Sequence, residues 1–274
     1  MYMRKIHKGN NVTFSQGIIT AAICMISTSA AVPFSDMLHG QNAETTALIL
    51  RDGIVLLIGA FFYFRGSDPG DDPQWPREYG TRKWWHLQEL IPLLILVFFG
   101  IKSASSIGTL IESELRVHSP FSAEILRAGT GFSGFLLAAL AFVAVAPVME
   151  EFVIRGILFR VLRTRCSFFA SAALSSAAWG IWHASLSQGA AAFLIGMILA
   201  LLYEIYRNLW ITILIHAGNN ALALYLLSYP MNTSGSHALN SGTGLLVLGC
   251  EILVAVYFYY KLIRNEPVKG RFSR

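Results

Sequence analysis

Residues 129–156 read GTGFSGFLLAALAFVAVAPVMEEFVIRG. The run as far as Met149 carries no charge, and about twenty such residues, rising 1.5 Å each, cross a hydrocarbon core. Glu150 and Glu151 then interrupt an apolar run that continues as ILFRVL. A carboxylate at the centre of a spanning helix costs roughly 2.5–3.5 kcal/mol on insertion scales. Acids in such a place therefore pose a functional question before a structural one.

The rest of the chain agrees with a membrane setting. Of 274 residues, 54% are hydrophobic and only 14% charged, against about 25% charged in ordinary soluble domains. Eight apolar windows are expected to span, near 14–34, 46–64, 87–111, 129–153, 168–186, 189–206, 208–228 and 243–263. The fold class read from them is all-α, a polytopic membrane helix bundle of about eight transmembrane helices. The first window lacks the short apolar region and small-residue cleavage site of a signal peptide, so it is read as a retained span. Cys24, Cys166 and Cys250 have no paired spacing and read as small buried packers, not as disulfides or thiolate ligands.

Charge orients the bundle. With eight spans, Arg4, Lys5, Lys8, Arg65, Arg77, Arg82, Lys83, Arg160, Arg163, Arg165, Arg207, Lys261, Arg264, Lys269, Arg271 and Arg274 all fall on one side. The alternate loops 35–45 and 229–242 have no Lys or Arg, and 112–128 has only Arg116 and Arg127. The positive-inside rule then places both termini in the cytoplasm. The net charge of +5 is a membrane-facing bias and argues for no nucleic-acid partner.

The segment 65–86, with three prolines and three glycines, reads as a solvated linker whose Trp75, Trp84 and Trp85 suit the headgroup layer. Its Asp68, Asp71 and Asp72 lack calcium-loop spacing. Asn232-Thr233-Ser234 is a sequon that chance often supplies. Nothing repeats at a fixed period, so 1–274 is read as a single integral membrane domain.

On a helix, Glu151 and Arg155 lie four apart on one face, acid before base, and can neutralise each other. Glu150 points about 100° away, with Val153 and Ile154 at its helical-neighbour positions. Left unpaired and partly desolvated, it is suited to take a proton from water. Pro147 is expected to kink the helix just before the acids. The plainer reading has both acids capping a span at the cytoplasmic interface.

Two other spans carry polar groups at helical spacing. SAAWGIWHASL places Trp179 and His183 on one face, and WITILIHAGNNALALYLL does the same for His216 and Asn220. Either histidine alone suits a satisfied core position. Three spans together suggest residues that face one another or a wet cavity.

Glu150-Glu151-x-x-x-Arg155, Trp179-x-x-x-His183 and His216-x-x-x-Asn220 resemble the three ordered motifs of the CAAX-protease and bacteriocin-processing family. This group, also called Abi, contains the type II CAAX prenyl endopeptidases and is one of glutamic intramembrane proteases. The resemblance covers about 130–228, which would be the catalytic core. Trp179 stands where the family more often has Phe. The resemblance implies peptide-bond hydrolysis without a covalent intermediate. Glu150 would be the general base, His183 would orient the water, and His216 and Asn220 would stabilise the oxyanion. Glu151, Arg155 and Trp179 would be supporting. The implied partners are a lipid bilayer and a hydrophobic or lipidated peptide substrate, including C-terminal segments. With the composition, it places the chain as a multi-pass protein of a prokaryotic inner (cytoplasmic) membrane.

Competing readings remain. Imidazole and carboxylate also suit zinc, yet no His-Glu-x-x-His helix is present and Asn220 is a poor zinc ligand, so no cofactor is expected, with zinc the alternative. GFSG at 131–134 matches the Gly-x-Ser-Gly of rhomboid serine proteases, with Ser133 as nucleophile; it also serves as a small-residue packing patch. A transporter or partner-binding protein with a polar core is the non-enzyme alternative, and Lys102 is an intramembrane charge without an evident role. For the motifs to meet, the fourth span must stay helical to about residue 160, and the fifth must enter near 172.

Overall fold

The computed structural model describes residues 14–29, 43–66, 87–116, 131–228 and 241–264. The basic residues at 4–8, 77–83 and 269–274, the linker aspartates and tryptophans, and the 232–234 sequon lie outside the described residues. Among those described there are eight helices and no strand. They are α1 (Phe14–Ser29), α2 (Ala43–Gly66), α3 (Leu87–Leu115), α4 (Gly131–Arg163), α5 (Phe168–Trp182), α6 (Leu186–Tyr206), α7 (Leu209–Ser228) and α8 (Gly242–Arg264). Five, within α3, α4, α6, α7 and α8, are long and apolar enough to cross a membrane. The apolar stretches Phe14–Ser27 and Phe168–Trp182 are shorter, and α2 carries Arg51 and Asp52 within it. The all-α bundle is as expected, with eight helices among the described residues, five of which are marked as spans by length and composition alone.

Helix ends follow local chemistry. Ser167 caps α5 by accepting from the Ala170 N–H at 3.3 Å, and Ser185 caps α6 by accepting from Gln188 at 3.4 Å. Arg207, at φ 52°, ends α6 in the left-handed conformation, its N–H returning to the Tyr203 carbonyl.

Contacts between helices fix their directions. Gly180 and Gly189 bring α5 and α6 together as an antiparallel hairpin. A Cβ on either would sit 2.6 or 2.7 Å from the other's carbonyl oxygen, so no larger residue fits this crossing. Ser187, at the start of α6, donates to Glu112, near the end of α3. Arg163, at the end of α4, meets Glu204, near the end of α6. Consecutive helices from α3 to α6 therefore alternate, and one end of them gathers Arg160, Arg163, Arg165 and Arg207.

Helix α4 organises the interior. It runs unbroken to Arg163, as the meeting of the motifs requires, and α5 starts at Phe168. Two stretches of α4, Ala139–Val145 and Phe152–Phe159, are wound in the wider π form. The first ends just before Pro147 and the second begins just after Glu151. Val153, Ile154, Ile157 and Phe159 of α4 pack with Leu199, Leu201 and Leu202 of α6 and Phe168 of α5, all almost fully buried. This solid core fills the bundle between the motif residues and the basic end.

Lys102 has a partner that the sequence reading missed. Its Nζ pairs with Glu251 Oε1, joining α3 to α8. A second buried acid, Glu204, receives Arg163 at 3.1 Å and Arg207 at 2.8 Å.

Candidate active site

Glu150 and Glu151 are consecutive on α4 and turn to different surroundings. Glu151 is fully buried, and its Oε1 accepts from Arg155 Nη1 at 2.7 Å, the expected i,i+4 pair. The same oxygen lies 3.1 Å from His216 Nδ1 of α7. Arg155, also fully buried, donates Nη2 to the Gly196 carbonyl of α6 at 3.2 Å and stacks 4.7 Å from the Trp179 ring centroid. A side chain on Gly196 would come within 3.1 Å of that same nitrogen, so the missing Cβ leaves room for the guanidinium.

Glu150 keeps 19% of its side chain exposed and faces a cavity of about 550 Å³. Its Oε2 accepts from Trp179 Nε1 at 2.6 Å and lies 3.9 Å from His216 Nε2. Glu150 has no cation on its own helix face, as expected, yet it is not without a partner: an indole from α5 holds it. Trp179, expected as a supporting residue where the family more often has Phe, is a hydrogen-bond donor to the acid, which Phe cannot be.

The Trp179 ring also spaces the two histidines, with His183 and His216 centroids 5.3 and 5.1 Å away. His183 Nδ1 is 2.8 Å from the Trp179 carbonyl. A carbonyl only accepts, so the proton of the neutral ring sits on Nδ1 and Nε2 keeps its lone pair. Ala184, the next residue, has φ 50°, which turns the chain sharply into α6.

Asn220 donates Nδ2 to the Phe142 carbonyl at 2.8 Å and accepts from Asn219 at 3.2 Å. The Phe142 interaction follows from Pro147. In a π turn the N–H five residues on returns to a carbonyl, and for Phe142 that residue is Pro147, which has no N–H to give. The Asn220 amide supplies a donor in its place, and its second N–H remains for other use.

Glu150, Trp179, His183, His216 and Asn220 all line the one cavity. Glu151 and Arg155 lie directly behind it. Ser133 does not line it: the residue is exposed near the start of α4, roughly 25 Å along the helix from Glu150 at 1.5 Å per residue. His216, the histidine a serine nucleophile would need as its base, is bonded to Glu151 instead, so the rhomboid arrangement is not formed. The wall also holds Arg51 and Asp52, joined at 2.7 Å, and Gln188, none of which the motifs pointed to. The signal that was present is charge: Asp52, Glu204 and Glu251 are acids inside apolar windows, as Glu150 is. Among the described residues no group of three or more His, Cys, Asp or Glu is placed to hold a metal ion.

Comparison with known proteins bears on this region. A segment of 87 residues is 30% identical to a protein of Bacillus subtilis (strain 168) named "Putative membrane peptidase YdiL". The match covers 32% of this chain and 36% of that protein, so it spans about a third of the relative's length. No solved structure matches the chain. The family model for type II CAAX prenyl endopeptidase Rce1-like proteins matches residues 132–222. That segment runs from the start of α4 to α7, contains every motif residue around the cavity, and is the part of the chain that is similar to this family.

Proposed function

We propose that this protein is an intramembrane endopeptidase that hydrolyses peptide bonds with water activated by Glu150. The observation that carries the reading is the position of that carboxylate, on a cavity wall within 3.9 Å of His216 Nε2 and fixed from the side by Trp179. Water between Glu150 and His183 Nε2 loses a proton to Glu150 as its oxygen attacks the substrate carbonyl carbon. His183, protonated on Nδ1, accepts a hydrogen bond from that water and aims it. His216, in its charged form, donates from Nε2 to the developing oxyanion, with Glu151 holding Nδ1. The free N–H of Asn220 is a second donor, and such donors commonly lower the barrier by about 3–4 kcal/mol each. As the carbon–nitrogen bond breaks, Glu150 returns its proton to the leaving amine.

The substrate class that suits the site is a hydrophobic peptide segment, including lipidated or C-terminal ones. No cofactor enters this scheme, since each proton transfer is made by a side chain of the chain itself. The packed core between Glu150 and the basic end argues against a transport pathway running through the bundle.

The test is to incubate the purified protein in lipid with a library of hydrophobic peptides and read products by mass spectrometry. Parallel arms hold the Glu150→Gln variant and a chelator. Cleavage that survives the chelator and vanishes in the variant is expected. Cleavage lost on chelation and restored by zinc would refute the metal-independent mechanism, and equal cleavage by the variant would refute the role of Glu150.

A further inference from the structure

Two charged groups on the cavity wall take no part in the hydrolytic scheme. Arg51 and Asp52 of α2 line the same cavity as Glu150, and α2 packs along α4 on its first π stretch and on the turn that bears the acids. Both residues lie outside 132–222, the segment similar to the endopeptidase family. An arginine within a spanning window is costly and is kept where it meets a partner or a wet cavity.

Pairing with Asp52 does not by itself account for Arg51. Lys102–Glu251 joins α3 to α8 and Arg163–Glu204 joins α4 to α6, whereas Arg51 and Asp52 are neighbours on one helix and tie no two helices together. Their contact engages a single guanidinium N–H: Nε donates to Asp52 Oδ1 at 2.7 Å. Among the described residues the two terminal nitrogens of Arg51 have no hydrogen-bond partner, and its side chain is partly exposed while that of Asp52 is buried. Asp52 thus steadies the guanidinium and leaves its Nη1 and Nη2 for a second acceptor.

The charge balance of the cavity favours the same reading. Arg155 and His216 are both engaged by Glu151 behind the wall. A carboxylate that enters beside Glu150 is repelled unless a cation meets it, and Arg51 stands on the wall to do so. A guanidinium takes such a group through two parallel N–H bonds. A hydrophobic peptide carries a carboxylate at its chain end or on an acidic side chain.

We infer that Arg51 is a specificity-determining residue whose guanidinium binds a carboxylate of the peptide in the catalytic cavity. The inference rests on the endopeptidase reading for the identity of the ligand, and on the wall position and the unused N–H groups for the site.

The experiment measures binding to the full-length Glu150→Gln protein in detergent, so that turnover is not needed. The probes are N-terminally labelled peptides of alanine and leucine, read by fluorescence anisotropy. One ends in a free carboxylate, a second in an amide, and two further amides carry an internal Asp or Asn. A Kd at least tenfold lower is expected for the free carboxylate than for its amide, or for the Asp peptide than for the Asn peptide, and the pair that differs identifies the source of the carboxylate. That ratio should fall below twofold in Arg51→Met. Because Arg51→Met leaves a buried Asp52 without its cation, Arg51→Met with Asp52→Asn repeats the measurement in a neutral pair. Equal binding within both peptide pairs, or a preference that survives in both Arg51 variants, would overturn the inference. Cleavage of these peptides by the wild-type protein without any carboxylate preference refutes the subsite and leaves the endopeptidase reading standing. An Arg51-dependent preference in binding with no cleavage of any peptide refutes the enzymatic reading and leaves the subsite.

Discussion

The link between Pro147 and Asn220 makes a quantitative prediction. Asn220→Ala removes a donor to the Phe142 carbonyl, and losing one intramolecular hydrogen bond costs about 0.5–1.5 kcal/mol. In a Pro147→Ala background, residue 147 regains an N–H that reaches Phe142 through the π turn, so the same substitution should cost close to nothing there. The loss of the Asn219 contact is common to both backgrounds and cancels in the double-mutant cycle. The expected coupling is therefore about 0.5–1.5 kcal/mol, read from chemical unfolding of the four proteins in detergent by circular dichroism. Turnover separates the two roles of Asn220: if its other N–H serves the oxyanion, kcat falls in both backgrounds even where stability is restored. An equal stability cost in both backgrounds would refute the argument that the asparagine compensates for the proline.

Other expectations follow from the remaining contacts. Arg155→Met strands the buried Glu151 and should cost about 3–5 kcal/mol in unfolding, while adding Glu151→Gln should recover most of it; the double variant should still be inactive, because His216 has lost its carboxylate. Trp179→Phe keeps the ring between the histidines but removes the N–H held by Glu150. One hydrogen bond to a charged group is worth about 1.5–3 kcal/mol, so kcat should fall at least tenfold with KM unchanged, and an unaltered kcat would show the indole N–H to be idle. Lys102→Met leaves Glu251, 8% exposed, without its cation and should lower stability, whereas Lys102→Met with Glu251→Gln should restore it. Neither should change kcat per folded molecule, since the pair lies outside the cavity.

The helices were legible because apolar runs of spanning length leave few alternatives, and the breaks between them fall at polar, Gly- and Ser-rich turns. The site was legible in its members because polar side chains at i and i+4 share a helix face whatever the packing around them. What the sequence did not disclose was which members touch. Glu151 was read only as a partner of Arg155, and its bond to His216 depends on the angle between α4 and α7. Trp179 was read as a ring because nothing in the spacing of one helix reveals an indole N–H aimed at another. Glu251, Glu204 and Asp52 were visible as acids in apolar windows, and pairing each with a cation from another span would have found the Lys102–Glu251 bridge. The π turns of α4 had no signal except Pro147, whose missing N–H only gained meaning once Asn220 stood opposite Phe142.

The most direct measurement of the central claim is the ratio of kcat for the wild-type protein and Glu150→Gln on one cleaved peptide, with equal unfolding midpoints confirming that both are folded. A general base contributes about 10²–10⁴ in rate, so the ratio is expected to be at least a hundredfold. A variant that folds normally and cleaves within tenfold of wild type would show that Glu150 does not activate the water.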